Sequence, residues 1–539
     1  MSHSFADVWE AVADALPDAQ ALVHGDRRVT WRDFDRRADG VAQALLDGGA
    51  QQGDKVAQYL YNCPEYLESL FGIVKAGCAP VNTNYRYTDD ELVYLWDNAD
   101  AVAVVFHGTF VETIERIRSK LPDVKLWLWV DDDAAPCPDW ATPYESVATS
   151  ATGRVIPPWG RSADDLYLLY TGGTTGMPKG VMWRQGDIFS MMAAAATVPI
   201  AEATKEEITE RVRANGPAQV HLPACPLMHG TGALTSFGAL NVGGSVVTLT
   251  NRHLDITELL DVIEREGVNS MAIVGDAFAK PMLRALDDSP GKWDISSIKL
   301  IASSGVMWSQ ETKEGLLRHH PQMLLSDGFS SSEAIGMGSS ISGGGAGVAK
   351  TAKFTLGPRA RVISEDRTRF IEPGSGESGL VALKGPNPLG YYKDQAKTDA
   401  TFVTIDGERY SIPGDWAIVE ADGSLTLLGR GSVCINTGGE KVFPEEVEEA
   451  LKQHSAIFDA VVVGVPDEKF GEAITAMVES KPGASIDEAD VIAHVKSKLA
   501  AYKAPKRVLT VDTIGRAANG KVDYKRLKAE AIERVGTSS

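Results

Sequence analysis

The sequence has few cysteines and no pattern among them. The five are odd in number, widely separated and form no C-x-x-C pair: Cys63, Cys78, Cys137, Cys225 and Cys434. An odd number of scattered cysteines argues against a disulfide framework, and the absence of a C-x-x-C pair argues against a structural zinc site. It predicts a protein of a reducing cytoplasm.

Long hydrophobic runs are also missing. The longest apolar stretch, near residues 191–200, is shorter than the roughly 20 residues that a membrane-spanning helix needs. The N-terminus carries acidic residues where a signal peptide would have a basic start and an apolar core. We therefore expect no integral membrane segment and a cytoplasmic location.

Positive charge is in short supply. The chain has 53 Lys and Arg against 73 Asp and Glu, a net charge of −20. This balance argues against nucleic-acid binding and against attraction to an anionic membrane, because both depend on basic surfaces. Any polyanion that this protein binds is expected to be small and to occupy a locally basic pocket.

The chain is long enough for more than one domain. Its 539 residues, 44% of them hydrophobic, exceed what a single core usually supports. Strand-like and helix-like segments alternate over most of the length, which predicts an α/β fold with helix-covered, mostly parallel sheets. Shorter strand-like pieces from residue 376 predict a β-rich subregion, and a composition break near Arg430 divides a large domain, 1–429, from a small α+β domain, 430–539.

One glycine-rich stretch is typical of a phosphate site. The apolar run of residues 166–169 predicts a buried strand, and YTGGTTGMPKG, residues 170–180, follows it directly. Glycines allow backbone N–H groups to approach an anion, while three threonines add hydroxyl donors and a lysine adds charge. A flexible surface loop is the alternative, but the polar content favours phosphate. The residues concerned are Thr171, Gly172, Gly173, Thr174, Thr175, Gly176 and Lys179.

A second polar stretch, DGFSSSEA, holds Glu333 beside three serines. One carboxylate with neighbouring hydroxyls suits Mg²⁺, which usually takes one or two protein carboxylates together with nucleotide phosphates. A helix that begins at a serine N-cap, with Glu333 in its first turn, explains the pattern equally well. Ligands of open α/β sheets bind beyond the carboxyl ends of strands, which directs attention to residues 303–305 and 327–333.

Three further residues indicate a functional site only when they are considered together with the other motifs. Asp415, in YSIPGD, could accept hydrogen bonds from a ribose diol, although a Gly-Asp pair is more often a simple turn. His229, in PLMHGTG, slightly favours a pocket wall. Lys521, in ANGKVDY, would by itself be a solvated lysine. In the small domain, Ser485 and Glu488 predict a capping box at the start of a helix expected from Asp487 to Ala500.

Taken together, these segments resemble one family. YTGGTTGMPKG, DGFSSSEA, YSIPGD, LGRGSVCINTGGEKVFPEEVE and ANGKVDY occur in the order and approximate spacing of the acyl-adenylate-forming enzymes, which include acyl-CoA synthetases, adenylation domains and luciferases. The resemblance extends from about Trp31 to Leu527. Within the family, GVMWRQGDI and GRGSVCINTGGEKV look like actinobacterial-type fatty-acid and sterol-side-chain acyl-CoA synthetases.

The resemblance implies a role for each motif. The loop from Thr171 to Lys179 would hold the β- and γ-phosphates of ATP, Glu333 would bind Mg²⁺, and Lys521 would reach the carboxylate and the α-phosphate. Residues implied at the nucleotide are Ser304, Gly305, Val306, Asp327, Gly328, Phe329 as the stacking ring, Ser332, Asp415 at the ribose and Arg430. His229 and Gly232 would border the acyl group. Gly438 and Gly439 would enter the site in the second step with coenzyme A.

The implied activity is an ATP-dependent carboxylate–CoA ligase acting on a hydrophobic acid, with ATP, Mg²⁺ and coenzyme A. The family often forms homodimers, which leaves a dimer open here. Two departures occur: Ser432 stands where the hinge residue is often Asp, and Ser330 replaces a usual Gly. Two alternatives remain, an enzyme that delivers the acyl group to a carrier protein and a catalytically idle acyl-nucleotide-binding protein.

Overall fold

The strands and helices lie close to the positions that the hydrophobic pattern predicts. The computed structural model describes residues 3–171, 177–193, 200, 203–217, 219–306, 308–345, 347–437, 440–467, 470–517 and 520–536. The described strands are β1 (Gln20–His24), β2 (Arg27–Thr30), β3 (Lys55–Tyr59), β4 (Ala79–Asn82), β5 (Ala101–His107), β6 (Leu126–Val130), β7 (Thr142–Pro143), β8 (Leu166–Thr171), β9 (Lys179–Arg184), β10 (Val220–Pro223), β11 (Ser245–Thr248), β12 (Ser270–Ile273), β13 (Leu300–Ser304), β14 (Leu324–Ser331), β15 (Ala334–Gly343), β16 (Lys353–Leu356), β17 (Ala360–Ile363), β18 (Ser378–Lys384), β19 (Gly390–Tyr391), β20 (Phe402–Ile405), β21 (Glu408–Ser411), β22 (Asp415–Val419), β23 (Ser424–Arg430), β24 (Ile435–Thr437), β25 (Glu440–Val442), β26 (Ile457–Asp467), β27 (Gly471–Ser480) and β28 (Arg507–Val511).

The helices alternate with these strands over the first two-thirds of the chain. They are α1 (Phe5–Ala15), α2 (Trp31–Asp47), α3 (Pro64–Lys75), α4 (Asp89–Asn98), α5 (Val111–Ile117), α6 (Tyr144–Ala148), α7 (Gln185–Ala193), α8 (Lys205–Asn215), α9 (Gly230–Asn241), α10 (Ile256–Glu266), α11 (Asp276–Asp288), α12 (Gln310–His319), α13 (Gln395–Thr401), α14 (Pro444–Lys452), α15 (Glu488–Lys498) and α16 (Tyr524–Gly536). Within the described residues, no helix combines the length and the apolar character needed to cross a bilayer.

Two large sheets form most of the fold. In the 8-stranded sheet the order is β19-β9-β8-β4-β3-β5-β6-β7, and its pairs from β8 to β7 are parallel. In the 15-stranded sheet, β1, β11, β10, β12, β13 and β14 pair in parallel, and the strands from β15 onward pair antiparallel. The predicted β-rich subregion is therefore a continuation of a parallel sheet.

The main core fills the space around the N-terminal helices. Large side chains of α1, α2 and α3 are fully buried there, among them Trp9, Trp31, Phe34 and Phe71. Helix α9 packs on the same core through Phe237, whose ring lies 5.2 Å from that of Phe5. Burying so much aromatic and aliphatic surface stabilises this part of the fold, and it fixes α9, whose first turn borders the site.

The third sheet belongs to the small domain. Its order is β25-β24-β27-β26, with β28 added beside β27, and within the described residues it shares no strand with the other two sheets. Helices α14 and α16 pack on it. The predicted helix α15 is present, but its cap was predicted wrongly: Asp487 accepts the hydrogen bond from the Asp490 N–H, so the Ser485–Glu488 capping box does not form. The Glu488 side chain instead accepts a hydrogen bond from the Val508 N–H.

Candidate functional site

The described end of the glycine-rich stretch places a lysine beside an aspartate. Thr171 ends β8 and Lys179 begins β9, while Gly172, Gly173, Thr174, Thr175 and Gly176 lie outside the described residues. The Lys179 Nζ forms an ion pair with the Asp394 carboxylate, which comes from the turn after β19. Both side chains remain accessible, at 41% and 29% exposed, so an anion can reach the lysine from solvent.

Glu333 lies at the tip of a β-hairpin. Strand β14 ends at Ser331 and β15 begins at Ala334, so the helix predicted as an alternative for this stretch is wrong. The Tyr391 hydroxyl donates a hydrogen bond to Glu333 Oε1 at 2.7 Å, and the Ser411 hydroxyl donates to the Glu333 carbonyl at 2.7 Å. The hairpin tip is further held by Trp183, whose indole N–H donates to the Ser332 carbonyl at 2.8 Å.

Asp415 and Arg430 face each other on neighbouring strands. They are register partners of β22 and β23, and Arg430 Nε donates to Asp415 Oδ1 at 3.2 Å. The second oxygen, Oδ2, is buried without a hydrogen-bond partner among the described residues. Burial raises the pKa of Asp415, and the Arg430 charge opposes that shift. A buried carboxylate oxygen without a donor is costly, and a hydroxyl-bearing ligand would satisfy it.

Arg430, at the domain boundary and the end of β23, also contacts the first helix of the small domain. Its backbone N–H lies 3.4 Å from Glu445 Oε1 in the first turn of α14, and the Glu445 side chain fills the space beside Gly429. Burial raises the pKa of Glu445 to about 8, and the neighbouring Glu448 and Asp415 carboxylates act in the same direction. At neutral pH this carboxyl therefore stays largely protonated in the junction between the two domains.

Replacing Glu445 with glutamine should change how stability depends on pH. The folded pKa of about 8 exceeds the ordinary value of 4.5, so the folded chain binds this proton more tightly than the unfolded chain. Wild-type stability therefore falls as pH rises from 4.5 to about 8, and Glu445→Gln removes that loss. We expect the variant's advantage in free energy of unfolding to grow by a few kcal/mol across this window, as measured by urea denaturation. An advantage that does not change with pH would contradict the assignment.

Lys521 reaches the same region from the small domain. It lies in the loop before α16, where Lys521 O accepts from the Ala517 N–H at 2.9 Å. The adjacent Gly520 has φ +71°, and an added Cβ would lie 3.1 Å from Val306 and 3.3 Å from Val274. The loop thus packs closely on the end of the 15-stranded sheet, and a larger residue at position 520 would push it away.

The groups that shift the pKa of Lys521 identify its charged neighbours. Desolvation in the cleft lowers the pKa of Lys521, the Arg430 charge lowers it further, and the Glu333 carboxylate raises it. Lys521, Arg430 and Glu333, predicted from three separate motifs, therefore interact electrostatically in one cleft. The sequence motifs alone did not place them together.

Arg516 fixes the Lys521 loop and was missed in the sequence. Its guanidinium binds both Asp459 carboxylate oxygens, at 2.6 and 2.9 Å, and donates to the Gly520 carbonyl at 3.1 Å. Asp459 lies on β26, so the arginine connects the loop to the small sheet. The sequence signal for Arg516 was its position, five residues before Lys521. That signal could not identify its partner Asp459, which lies 57 residues away in the chain.

The predicted adenine segment lies at the ends of two adjacent parallel strands. Ser304 pairs with Gly328 across β13 and β14, and Gly305 follows with φ +98°. The Asp327 carboxylate, however, pairs with Lys313 at 3.2 Å, and burial raises its pKa to about 6 despite the lysine. The Phe329 ring packs against Phe354 at 5.6 Å. Nucleotide contacts by Asp327 and Phe329 stay predictions.

His229 and Gly232 mark the start of α9. His229 occupies the N-cap position, and desolvation lowers its pKa to about 3, with the positive charges of Lys521 and Arg86 adding to the shift. His229 is therefore neutral at physiological pH. An added Cβ on Gly232 would lie 2.5 Å from the Pro226 carbonyl, so this glycine allows close packing of α9, and its predicted contact with an acyl group stays a prediction.

A cavity of about 610 Å³ opens between the two domains. Its walls carry both apolar and basic side chains. They include Tyr61, Arg86, Pro226, Arg252, Val306, Phe458 and Arg516. Because Val306 and Arg516 both line it, the cavity connects the Lys521 loop with the strand ends where the predicted nucleotide residues lie.

Comparisons with known proteins match the chain over nearly its whole length. The family model described as AMP-binding enzyme matches residues 9–392, and the AMP-binding enzyme C-terminal domain matches residues 446–521. A medium/long-chain-fatty-acid–CoA/3-oxocholest-4-en-26-oate–CoA ligase of Mycolicibacterium smegmatis is 40% identical, covering 99% of this chain and 97% of the relative. A 3-oxocholest-4-en-26-oate–CoA ligase of Rhodococcus rhodochrous is 40% identical, with 98% and 96% covered.

Solved structures match as well. ATP-bound MatB from Rhodopseudomonas palustris has a TM-score of 0.81 and 25% identity, with 99% of this chain and 100% of that chain covered. The anthranilate CoA ligase AuaEII in complex with anthranoyl-AMP has a TM-score of 0.84 over 100% of this chain and 98% of that chain, at 22% identity. The second likeness concerns the fold alone. These matches confirm a large N-terminal domain of sheets and helices followed by a smaller C-terminal domain.

Proposed function

Because the chain belongs to the AMP-binding enzyme family, we propose that it is an ATP-dependent ligase that joins a hydrophobic carboxylic acid to coenzyme A. Its full-length relatives are acyl-CoA ligases, and the two named above act on fatty acids or on a sterol side-chain acid. One observation supports the proposal most directly: Lys521 of the small domain interacts electrostatically with Glu333 of the large domain and with Arg430 at the domain boundary. We propose a fatty acid or a sterol side-chain acid as the substrate.

The first half-reaction joins the acid to AMP. The acid's carboxylate oxygen attacks the α-phosphorus of ATP, a new O–P bond forms, and pyrophosphate leaves. Both the nucleophile and the phosphate are negatively charged, so a fixed cation between them lowers the barrier by positioning and electrostatics. Lys521 supplies that cation, Asp415 accepts hydrogen bonds from the ribose hydroxyls, and Lys179 binds the departing phosphates.

The site also fits a magnesium ion. In the described part of the chain, no group of three or more His, Cys, Asp or Glu side chains could hold a metal by itself. A single carboxylate is nevertheless what Mg²⁺ commonly takes when substrate phosphates and water complete its shell, and Glu333 offers one at the hairpin tip. When bound there, Mg²⁺ supplies neutralisation of phosphate charge.

The second half-reaction forms the thioester. The thiolate of coenzyme A attacks the acyl carbon and forms the C–S bond. The bond between the acyl carbon and the phosphate oxygen breaks, and AMP leaves with that oxygen. We propose that the small domain, 430–539, rotates about a hinge at Ser432, close to its boundary at Arg430. This rotation would replace Lys521 by another surface at the same site. Gly438 and Gly439, proposed to enter then, lie outside the described residues. His229, neutral at physiological pH, is proposed to border the acyl group.

The location and the acceptor complete the proposal. We propose the reducing cytoplasm as the location, because the five cysteines are scattered and form no C-x-x-C pair in the sequence. The acyl acceptor is free coenzyme A in this proposal. Transfer to a carrier protein is the alternative. The presence of Lys521, Glu333 and Lys179 argues against an idle nucleotide-binding protein.

A substrate screen tests the function. Purified protein is incubated with ATP, Mg²⁺, coenzyme A and acids ranging from short-chain to long-chain fatty acids and a steroid side-chain acid, and the thioester is identified by mass. We expect acyl-CoA from the hydrophobic acids, together with acid-dependent exchange of pyrophosphate into ATP. Exchange without any acyl-CoA would favour a carrier protein as the acceptor. Absence of both products would overturn the proposal.

Asp394→Asn should lower the KM for ATP. The ion pair between Lys179 and Asp394 must open before Lys179 can bind phosphate, and asparagine removes its charge while still capping α13, where Asp394 accepts from the Lys397 N–H at 2.9 Å. An exposed ion pair is worth up to about 1 kcal/mol, so the KM should fall a few-fold, measured by pyrophosphate exchange at varied ATP. A raised KM would instead show that Asp394 orients Lys179 productively.

A further inference from the structure

Strand β19 lies between Lys179, assigned to the ATP phosphates, and Glu333, assigned to the metal. Tyr391 pairs with Val181 of β9, and the Tyr392 N–H donates to the Gly180 carbonyl at 2.8 Å. The strand is thus fixed to the segment that begins at Lys179. On its other side, the Tyr391 hydroxyl donates to Glu333 Oε1 at 2.7 Å, so one short strand connects β9 with the hairpin tip.

The Tyr391 side chain is held firmly. It is 5% exposed, and its ring lies 5.9 Å from that of Phe402. The Tyr391 N–H donates to the Thr398 hydroxyl at 2.9 Å. The preceding Gly390 has φ +153°, and an added Cβ would lie 2.5 Å from Thr398, so the chain fits tightly against α13. These backbone and ring contacts fix the position of the Tyr391 hydroxyl.

The hydrogen bond orients the Glu333 carboxylate. Glu333 sits in a hairpin turn, and a glutamate side chain has several rotatable bonds whose freedom is lost on binding. A donor on Oε1 restricts that rotation and leaves Oε2 pointing in a defined direction. Partners of this kind behind a metal-binding carboxylate typically contribute 10- to 100-fold to metal affinity, as an order of magnitude.

We propose that Tyr391 is a positioning residue that holds Glu333 in the orientation needed to bind the divalent metal of the metal–ATP complex. The inference rests on the proposed function, because it assigns Glu333 to the metal. Tyr391 itself touches neither the nucleotide nor the acid in this proposal, and it acts through the Glu333 carboxylate.

The neighbouring residue provides a matched control. Side chains alternate along a strand, and Tyr392 points away from Glu333: its hydroxyl donates to Asp100 Oδ2 at 2.7 Å on an exposed surface. Tyr392→Phe therefore removes a tyrosine hydroxyl and its bond to a carboxylate, one position further along the same segment, without touching the Glu333 hairpin.

The experiment measures metal binding directly. Mn²⁺ is titrated into the full-length protein in the presence of a non-hydrolysable ATP analogue, and free Mn²⁺ is followed by electron paramagnetic resonance. We expect Tyr391→Phe to weaken Mn²⁺ binding about tenfold or more, Glu333→Gln to weaken it at least as much, and Tyr392→Phe to match wild type. AMP affinity, measured by calorimetry without metal, should be unchanged in Tyr391→Phe and serves as the test of a folded site.

The possible outcomes distinguish failure of the Tyr391 positioning role from failure of the proposed function. If Glu333→Gln weakens Mn²⁺ binding and Tyr391→Phe does not, the positioning role is wrong while the proposed function stands. If wild type shows no acid-dependent pyrophosphate exchange, the proposed function fails, and the titration still reports on Tyr391. If Tyr391→Phe also loses AMP binding, replacement of Tyr391 by 4-aminophenylalanine, which restores a donor, decides: recovered Mn²⁺ affinity supports the role, and unrecovered affinity overturns it.

Discussion

Lys521→Ala is expected to lower the rate of acyl-AMP formation by about two to three orders of magnitude, the usual effect of removing one preorganised charge at a transition state. Lys521 interacts electrostatically with Glu333 and Arg430 in the cleft, where negative charge must be neutralised when the carboxylate reaches the α-phosphate. Attack of a thiolate on preformed acyl-AMP has no such requirement, so thioester formation from supplied acyl-AMP should remain largely intact.

Two assays on one preparation measure this difference. Acid-dependent exchange of pyrophosphate into ATP reports the first half-reaction, and acyl-CoA formation from synthetic acyl-AMP reports the second. Lys525→Ala is the control, because Lys525, like Lys521, is an exposed lysine of the same segment, lies at the start of α16 and has no assigned role. Equal loss of both half-reactions in Lys521→Ala would show that Lys521 is misassigned.

Asp415→Asn is expected to raise the KM for ATP about a hundredfold. The buried Oδ2 of Asp415 lacks a donor among the described residues, and hydrogen bonds to a charged acceptor contribute about 1.5–3 kcal/mol each. Two ribose hydroxyls bound to a carboxylate would therefore supply about 3 kcal/mol or more, close to two factors of ten in affinity. Asparagine keeps the shape but exchanges one acceptor for a donor and loses the charge that pairs with Arg430.

The measurement is ATP affinity by calorimetry, with the KM from pyrophosphate exchange as a second readout. Asp406→Asn is the control, since Asp406 lies in an exposed turn between β20 and β21, where its φ of +52° also suits asparagine. Unchanged ATP affinity in Asp415→Asn would exclude the ribose assignment. A loss of stability without a change in affinity would limit Asp415 to holding Arg430.

Much of the fold was predictable because local patterns determine it. Alternating strands and helices gave the parallel sheets, and the predicted strand at residues 166–169 is the core of β8. Errors arose where two local signals compete. In the small domain, Asp487 caps α15 in place of Ser485, and in DGFSSSEA a pattern that suits a helix start instead forms a hairpin, because β14 and β15 pair over most of their length.

The site was predictable only as separate pieces. Glu333, Asp415 and Lys521 are readable from ordered motifs, and the resemblance supplies their roles. Their supporting partners are not readable: Asp394 lies 215 residues from Lys179, and Tyr391 lies 58 residues from Glu333. Such pairs depend on strand order, here on β19 joining the edge of a sheet beside β9, and no local pattern encodes that neighbour.

The small domain's sheet has a consequence for how such proteins diversify. Because β24 to β28 pair only with one another in the described part of the chain, a crossover between genes at the codons near residue 431 would exchange this sheet and its helices as one piece, leaving every strand pair of the large sheets intact. The contacts at risk would be those across the junction, among them Glu445 beside Gly429, Phe443 against Trp416 and Lys441 with Glu365. Recombinants that preserve the contacts across the junction should fold, and the acid pocket would stay with the parent that supplied the large domain.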